Sequence, residues 1–187
     1  MGGVKMSRIV NGVNLEALGG FVDGVKTGAV SPEIRFSAKS SWTGGTRTEV
    51  VIDQFSAGGV NAAPAERSFK LVVDEPAALG GQDTAPNPVE YLAAGLCGCI
   101  TAGIVTNAAM FGATVEGLEV TVDADINVLG LFGLDRSVPS RCSRITYTVK
   151  VHGENTEALL KSCQVIDAKS PVRNTLANAI EIVTHVV

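Results

Sequence analysis

Residues 87–110 read NPVEYLAAGLCGCITAGIVTNAAM, and this stretch combines a sharp helix start with a long uncharged run. Asn87 suits an N-cap, Pro88 the first helical position and Glu90 the third, which is an Asn variant of the capping box. No residue from Leu92 to Met110 is charged. The pattern predicts a long central helix over 87–111 that other elements cover.

The uncharged run is about as long as a membrane span. Its composition is mostly Ala, Gly and Thr, with few large apolar residues, which favours a helix buried by protein. The spacing of Gly95, Gly98 and Gly103 would let another backbone approach closely. Either a neighbouring element or a second subunit would supply that backbone.

The composition narrows the classes of partner. The chain has 187 residues, of which 45% are apolar and 18% charged, and its net charge is -4. No cluster of Lys and Arg is interleaved with aromatic residues, so we expect no nucleic-acid partner. Residues 1–26 lack a continuous apolar run of signal-peptide length. We expect a cytoplasmic protein with reduced cysteines and no membrane association.

Hydrophobic patterning predicts two halves that each combine strands with helix. The first half contains a weak helix at 14–27 and strands at 33–42, 46–55 and 67–73. The second contains strands at 115–128, 144–151 and 181–186, helices at 154–169 and 170–179, and an apolar hairpin excursion at 129–143. We expect an N-terminal extension over 1–30 and a single domain over 31–187, with the first half ending near 84 and the second covering 115–187.

The four cysteines do not match a metal site. Zinc sites usually pair cysteines across two to four residues and repeat the pair or add histidines, whereas Cys97 and Cys99 are separated by one residue. Residues two apart on a helix do not face each other, so at most one of these thiols faces a given pocket. Cys163 falls on the apolar stripe of its helix and is interpreted as core. We expect no metal and no other cofactor.

Four short motifs carry a resemblance to a known family. They are DEPAALGG at 74–81, PNPVEYLAA at 86–94, GC at 98–99 and AKSPVRNTL at 168–176. Together they resemble the OsmC/Ohr family of osmotically induced and organic-hydroperoxide-resistance proteins. The resemblance implies an α+β fold with two curved, mainly antiparallel sheets around long central helices. It also implies an intertwined homodimer, in which a second subunit would cover the uncharged helix.

The resemblance further implies thiol peroxidase activity in an oxidative stress response. Cys99 matches the cysteine that attacks an organic hydroperoxide and becomes a sulfenic acid, which a second cysteine captures before a thiol or dithiol reduces the disulfide. The reactive form is the thiolate, and a cation is needed to stabilise it. Arg47 loosely matches the family arginine that does this, and in an intertwined dimer it would come from the partner chain.

Two positions depart from the family pattern. Ser170 stands where the second redox cysteine is expected, and Cys163 lies seven residues earlier, about two helical turns or on the order of 10 Å away. Val89 stands where one branch of the family has a catalytic glutamate, and Glu90 is turned about 100° from that position.

These departures leave two hypotheses open. In the first, Cys99 reduces hydroperoxides and an external thiol, or less readily Cys163, resolves its sulfenic acid. In the second, the protein is a non-catalytic dimer that binds a small apolar or electrophilic ligand between its subunits.

Overall fold

A computed structural model describes residues 8–186 of the chain. The strands are β1 (Ile9–Val10), β2 (Val13–Asn14), β3 (Ile34–Phe36), β4 (Lys39–Gly44), β5 (Arg47–Ile52), β6 (Phe55–Ala57), β7 (Val60–Asn61), β8 (Phe69–Val73), β9 (Thr114–Ile126) and β10 (Cys142–Glu154). The helices are α1 (Leu15–Lys26), α2 (Pro88–Phe111), α3 (Val128–Leu131), α4 (Thr156–Lys169) and α5 (Pro171–Ala177), with a 3-10 turn at Ala77–Leu79.

The described residues form two compact units. The first comprises residue 8 and residues 14–91, and the second comprises residues 9–13 and 92–186. The expected division into an extension over 1–30 and one domain over 31–187 stays a prediction, and residues 1–7 lie outside the described part of the chain.

The first unit consists of two small antiparallel sheets and α1. One sheet has the strand order β4-β5-β8 and the other β3-β6-β7. The strand predicted at 33–42 is divided into β3 and β4, while the turn before β5 is present, with positive φ at Gly44 and Gly45. Within residues 8–91 only Asp74 is buried, and large apolar side chains such as Phe36 and Trp42 are 74% and 77% exposed. The described part of this unit therefore has no buried apolar core of its own.

The second unit is built on the β9–β10 hairpin, whose strands have 13 residues each. Its antiparallel register places Val120 opposite Val149 and Val122 opposite Tyr147. The predicted alternation is confirmed, because the inward residues of both strands pack against the helices. One core cluster consists of Leu96, Ile100, Ile104 and Ile166, with Leu118, Val120, Val122, Ile145, Tyr147 and Val149 packed against it. A second, smaller cluster consists of Ala108, Ala113, Ala158 and Leu159.

Helix α2 confirms the long helix predicted over 87–111. It is the one helix among residues 8–186 that is long and apolar enough to cross a membrane, but Leu96, Ile100 and Ile104 are among the nine apolar side chains that make up the buried core. Burying each such side chain contributes about 1.5–3 kcal/mol to folding. These contacts favour the interpretation of α2 as a core helix.

The glycines of α2 differ in what they face. A Cβ added at Gly103 would lie 2.0 Å from Cδ1 of Ile166 on α4, whereas a Cβ built at Gly95 or Gly98 would meet no side chain and no atom of another element within 4 Å. The close neighbour that the sequence predicts is thus α4 at Gly103. The other two positions are open in the single chain.

The strand predicted at 181–186 is wrong for the single chain, because these residues follow α5 without regular structure. Strand geometry requires a hydrogen-bonded neighbour, and no described strand pairs with this segment. Side chains such as Ile182 and Val186 are consequently 84% and 93% exposed. The excursion predicted at 129–143 is present between β9 and β10 and contains α3.

Candidate active site

The structure brings Cys99 and Ser170 together. Cys99 Sγ lies 3.1 Å from Ser170 Oγ, and Ser170 is only 1% exposed. The Ser170 hydroxyl is also the N-cap of α5, where it accepts a hydrogen bond from the backbone N–H of Arg173 at 3.2 Å. Its single hydrogen remains available for the sulfur, and a Cys99 thiolate, which has no hydrogen, would be the acceptor.

A cavity of about 340 Å³ opens beside this pair. Besides Cys99 and Ser170, it is lined by Lys169 and by Asn107, which is 6% exposed and forms no side-chain hydrogen bond within residues 8–186. Asn107 is eight residues beyond Cys99 on α2, or about 12 Å along the helix axis. Sequence reasoning missed both residues as part of the site, although Lys169 directly precedes Ser170 in the motif at 168–176.

Ion pairing fixes the elbow between α4 and α5 that presents Ser170. Arg173 Nε lies 3.1 Å from Asp167 Oδ1, and its Nη1 donates to the backbone carbonyl of Asp167 at 3.2 Å. The hydroxyl of Tyr147 on β10 donates to the same carboxylate. Burial, followed by this hydrogen bond, raises the pKa of Tyr147 above its ordinary value. The elbow is thus held both by the contacts between Arg173 and Asp167 within it and by the hydrogen bond from Tyr147 of the hairpin.

The neighbouring thiol points elsewhere. Cys97 Sγ donates to the backbone carbonyl of Val120 on β9 at 3.5 Å and does not line the cavity of Cys99. This confirms that only one of the two helix cysteines faces that cavity. Cys97 is held against the hairpin.

Cys163 is partly buried at the edge of the core. It packs against the cluster of Leu96, Ile100, Ile104 and Ile166 and does not line the cavity of Cys99. Burial raises the pKa of the Cys163 thiol. Since only the thiolate is nucleophilic, burial lowers the reactive fraction of Cys163.

Arg47 lies at the start of β5 in the first unit and is held by the following loop. Its Nη1 donates to Thr84 Oγ1 at 3.1 Å, and Thr84 Oγ1 in turn donates to Asp74 Oδ2 at 2.8 Å. Asp74 also accepts from Thr46 Oγ1 at 2.7 Å and from the backbone N–H groups of Glu75, Gln82 and Thr84.

These donors hold the pKa of Asp74 well below its usual range, with the hydrogen bond from Thr46 first and that from Thr84 second. In the sequence, Asp74 was recognised only as the first residue of the motif at 74–81. The structure identifies it as the residue around which the loop is organised.

Glu90 makes both bonds of the predicted capping box. The backbone N–H of Asn87 donates to Glu90 Oε2 at 2.7 Å, and the backbone N–H of Glu90 donates to Asn87 Oδ1 at 2.8 Å. Glu90 and Arg47 belong to the first unit, whereas Cys99, Cys163 and Ser170 belong to the second. Within residues 8–186 no group of three His, Cys, Asp or Glu side chains is arranged to hold a metal ion.

Fold and site together define an α+β protein with a half-buried thiol next to a serine hydroxyl at a helix elbow. A family model described as OsmC-like protein matches residues 81–185, so the chain belongs to the OsmC-like protein family. This confirms the family resemblance of the sequence. No curated protein matches the chain.

Solved structures share the fold at low identity. An OsmC-like protein from Mycoplasma pneumoniae is 16% identical over 76% of this chain and 87% of its own, with a TM-score of 0.59. An organic hydroperoxide resistance protein OsmC from Legionella pneumophila is 19% identical over 76% and 88%, with a TM-score of 0.52. An OsmC-like protein of unknown function from Vibrio cholerae is 12% identical over 75% and 92%, with a TM-score of 0.53. The expected α+β, OsmC-like fold is confirmed.

Proposed function

We propose that this protein is a thiol-dependent reductase of organic hydroperoxides in which Cys99 is the attacking thiol. The observation that carries the proposal is the contact of Cys99 Sγ with Ser170 Oγ at 3.1 Å at the edge of a cavity. The name of the Legionella relative, an organic hydroperoxide resistance protein, supports the class of substrate.

The reaction has two stages. The Cys99 thiolate attacks the terminal oxygen of the hydroperoxide, the O–O bond breaks, and the alcohol leaves after taking up a proton. Sulfur is oxidised by two electrons to a sulfenic acid while the hydroperoxide is reduced to the alcohol. An external thiol then displaces water from the sulfenic acid, and a second thiol releases Cys99 and an external disulfide.

Ser170 determines how the second stage proceeds. A hydroxyl forms no disulfide, so the neighbour of Cys99 leaves the sulfenic acid open to a thiol from solution. Resolution by Cys163 is the less favoured route, because that thiol packs in the core and burial raises its pKa. Ser170 instead contributes a hydrogen bond to the sulfur.

We further propose that the active protein is an intertwined homodimer in the cytoplasm. Two features support the dimer: residues 8–91 bury no apolar side chain, and Gly95 and Gly98 of α2 face open space. A dimer gives Arg47 a route to Cys99 from the partner chain. Lys169, which lines the cavity of Cys99, is a second candidate for the cation that stabilises the thiolate.

The test is to oxidise the fully reduced protein with a slight excess of cumene hydroperoxide and trap sulfenic acid with a dimedone-type reagent. Peptide mass spectrometry then reads all four cysteines. We expect rapid labelling of Cys99, with Cys97 as the internal control that stays reduced. Arg47→Ala should slow labelling, whereas Arg35→Ala, which removes an exposed arginine of β3, should not.

Each other result has a defined meaning. A mixed disulfide on Cys99 after adding a monothiol would establish external resolution, while a Cys99 to Cys163 disulfide would assign resolution to Cys163. Slowing in Lys169→Ala but not in Arg47→Ala would assign the cation to Lys169. If all four cysteines stay reduced over many minutes, the reductase proposal is wrong, and the non-catalytic ligand-binding hypothesis takes its place.

A further inference from the structure

A second cavity lies in the second unit, and neither Cys99 nor Ser170 lines it. Its volume is about 630 Å³, compared with about 340 Å³ beside Cys99. Sites for small molecules span roughly 300–1,000 Å³. The first half of α2, the start of β10 and helix α5 form its walls. The proposed reaction makes no use of this space.

One part of the wall is aliphatic. Leu92 and Leu96 come from α2, Ile145 from β10 and Leu176 from α5. Leu96 is 2% exposed, so the inner end of the cavity is already removed from water. Such a surface favours a ligand with an aliphatic or aryl body.

The charged groups at the cavity differ in whether they are paired. Arg173 lines the wall, but its Nε lies 3.1 Å from Asp167 Oδ1, and Tyr147 donates to the same carboxylate. This group is locally neutral. Arg141, in contrast, forms no ion pair and no side-chain hydrogen bond within residues 8–186.

A second arginine beside Arg141 adds to the positive charge at the cavity. Arg144 also lines the cavity, and Asp125 lies opposite it in the register of β9 and β10 without an ion pair within 4.0 Å. No carboxylate lines the cavity. The lining therefore combines an aliphatic wall with unpaired guanidinium groups, which bind carboxylates through two parallel hydrogen bonds.

We propose that this cavity is a binding site for an amphiphilic monocarboxylate. The carboxylate lies on Arg141, with Arg144 beside it, and the apolar body lies against Leu92, Leu96 and Leu176. Decanoate is a suitable probe, since it joins one carboxylate to an unbranched aliphatic chain. The site is independent of the proposed reductase activity, because it contains no group that the reaction uses.

Cys142 provides a built-in reporter, because it lines the same cavity and is partly exposed. In the full-length Cys99→Ser protein, saturating decanoate should slow alkylation of Cys142 by N-ethylmaleimide at least about tenfold, and calorimetry should show one decanoate per chain. Arg141→Gln should weaken binding about tenfold or more. Arg136→Gln, which changes an exposed arginine outside the cavity, should leave binding unchanged.

Two further ligands separate charge from apolar contact. Decanol should bind at least about tenfold more weakly than decanoate, and decylamine should not protect Cys142. Equal binding of all three would overturn the proposal, as would the absence of saturable binding. Complete protection of Cys142 without any ligand would overturn it too, since the cavity would then be filled by protein. None of these results depends on whether Cys99 reacts with peroxide.

Discussion

The hydroxyl of Ser170 occupies the position at which a second redox thiol would complete the chemistry of Cys99. Replacing Oγ, 3.1 Å from Cys99 Sγ, by sulfur places two thiols within reach of a disulfide after modest adjustment. We predict that Ser170→Cys forms an internal disulfide with Cys99 when cumene hydroperoxide is added. Turnover with dithiothreitol should rise on the order of a hundredfold, because an intramolecular thiol acts at high effective concentration. Coupled peroxide consumption and non-reducing mass spectrometry measure both effects.

Ser170→Ala is the matched control for this variant. It removes the hydrogen-bond donor to the sulfur without adding a thiol, so it should form no disulfide and should react more slowly with hydroperoxide than the wild type. Loss of the N-cap should also destabilise α5 by about 1 kcal/mol. If Cys99 of Ser170→Cys is labelled as a sulfenic acid and no internal disulfide forms, the two side chains do not meet in solution.

The stability of the loop before α2 depends on pH through the carboxyl group of Asp74. Its pKa is lowered in the folded protein by hydrogen bonds from Thr46 and then Thr84. Because the pKa of Asp74 is lower in the folded than in the unfolded chain, the ionised carboxylate stabilises the fold. This stabilisation is fully present above the unfolded pKa, about 3.9, and is lost as pH falls below it towards the folded pKa. We predict that Asp74→Asn lowers the urea midpoint at pH 6 and that its difference from the wild type narrows towards pH 2.5.

Asp53→Asn serves as the comparison, because Asp53 is exposed and its side chain forms no hydrogen bond within residues 8–186. It should leave the midpoint unchanged at both pH values. Asp74→Asn should also slow oxidation of Cys99 if Arg47 is the stabilising cation, since Thr84 links Asp74 to Arg47. A constant difference between Asp74→Asn and the wild type over the whole pH range would contradict the assignment.

Helices α2 and α4 meet where Gly103 leaves room for Ile166. A Cβ at residue 103 would lie 2.0 Å from Ile166 Cδ1 and 3.3 Å from its Cγ1. We predict that Gly103→Val lowers the free energy of unfolding by about 1–3 kcal/mol through overpacking, measured by urea denaturation. Gly20→Val on the exposed helix α1 is the matched control, because a Cβ built there would meet no side chain and no atom of another element within 4 Å. Equal costs for both variants would show that the contact with Ile166 is not responsible.

The sequence was sufficient to predict the elements that are marked by a local capping motif or by a long periodic pattern. Helix α2 was predictable from its capping box and uncharged run, and strands β9 and β10 from the alternation at 115–128 and 144–151. The segment at 181–186 has the same strand-like composition and yet is not a strand, because pairing depends on a neighbour that composition does not specify. The same limit applies to the site. A motif placed Cys99 and Ser170 near each other, but Lys169 and Asn107 join the cavity through the packing of α2 against α4.

The segment after α5 exposes apolar side chains that a second subunit would cover. Ile180, Ile182 and Val186 are 59%, 84% and 93% exposed, and they alternate with Glu181 and His185 as one face of an extended segment would. We predict that the protein is a dimer of two 19.3 kDa chains in which this segment adds to a sheet edge. Ile182→Lys should then shift the mass measured by light scattering towards that of the monomer.

His185→Lys distinguishes this interpretation from a general effect of charge. Both substitutions add a lysine to the same segment, but on opposite faces of an extended chain. If the face of Ile182 is buried against a sheet, only Ile182→Lys should promote the monomer, and it should also slow the oxidation of Cys99 when Arg47 comes from the partner. A monomeric wild type, or equal dissociation by both variants, would contradict strand addition. A monomer that still oxidises at Cys99 at the wild-type rate would remove Arg47 of a partner chain from the reaction and leave Lys169, which lines the same cavity as Cys99, as the other candidate cation.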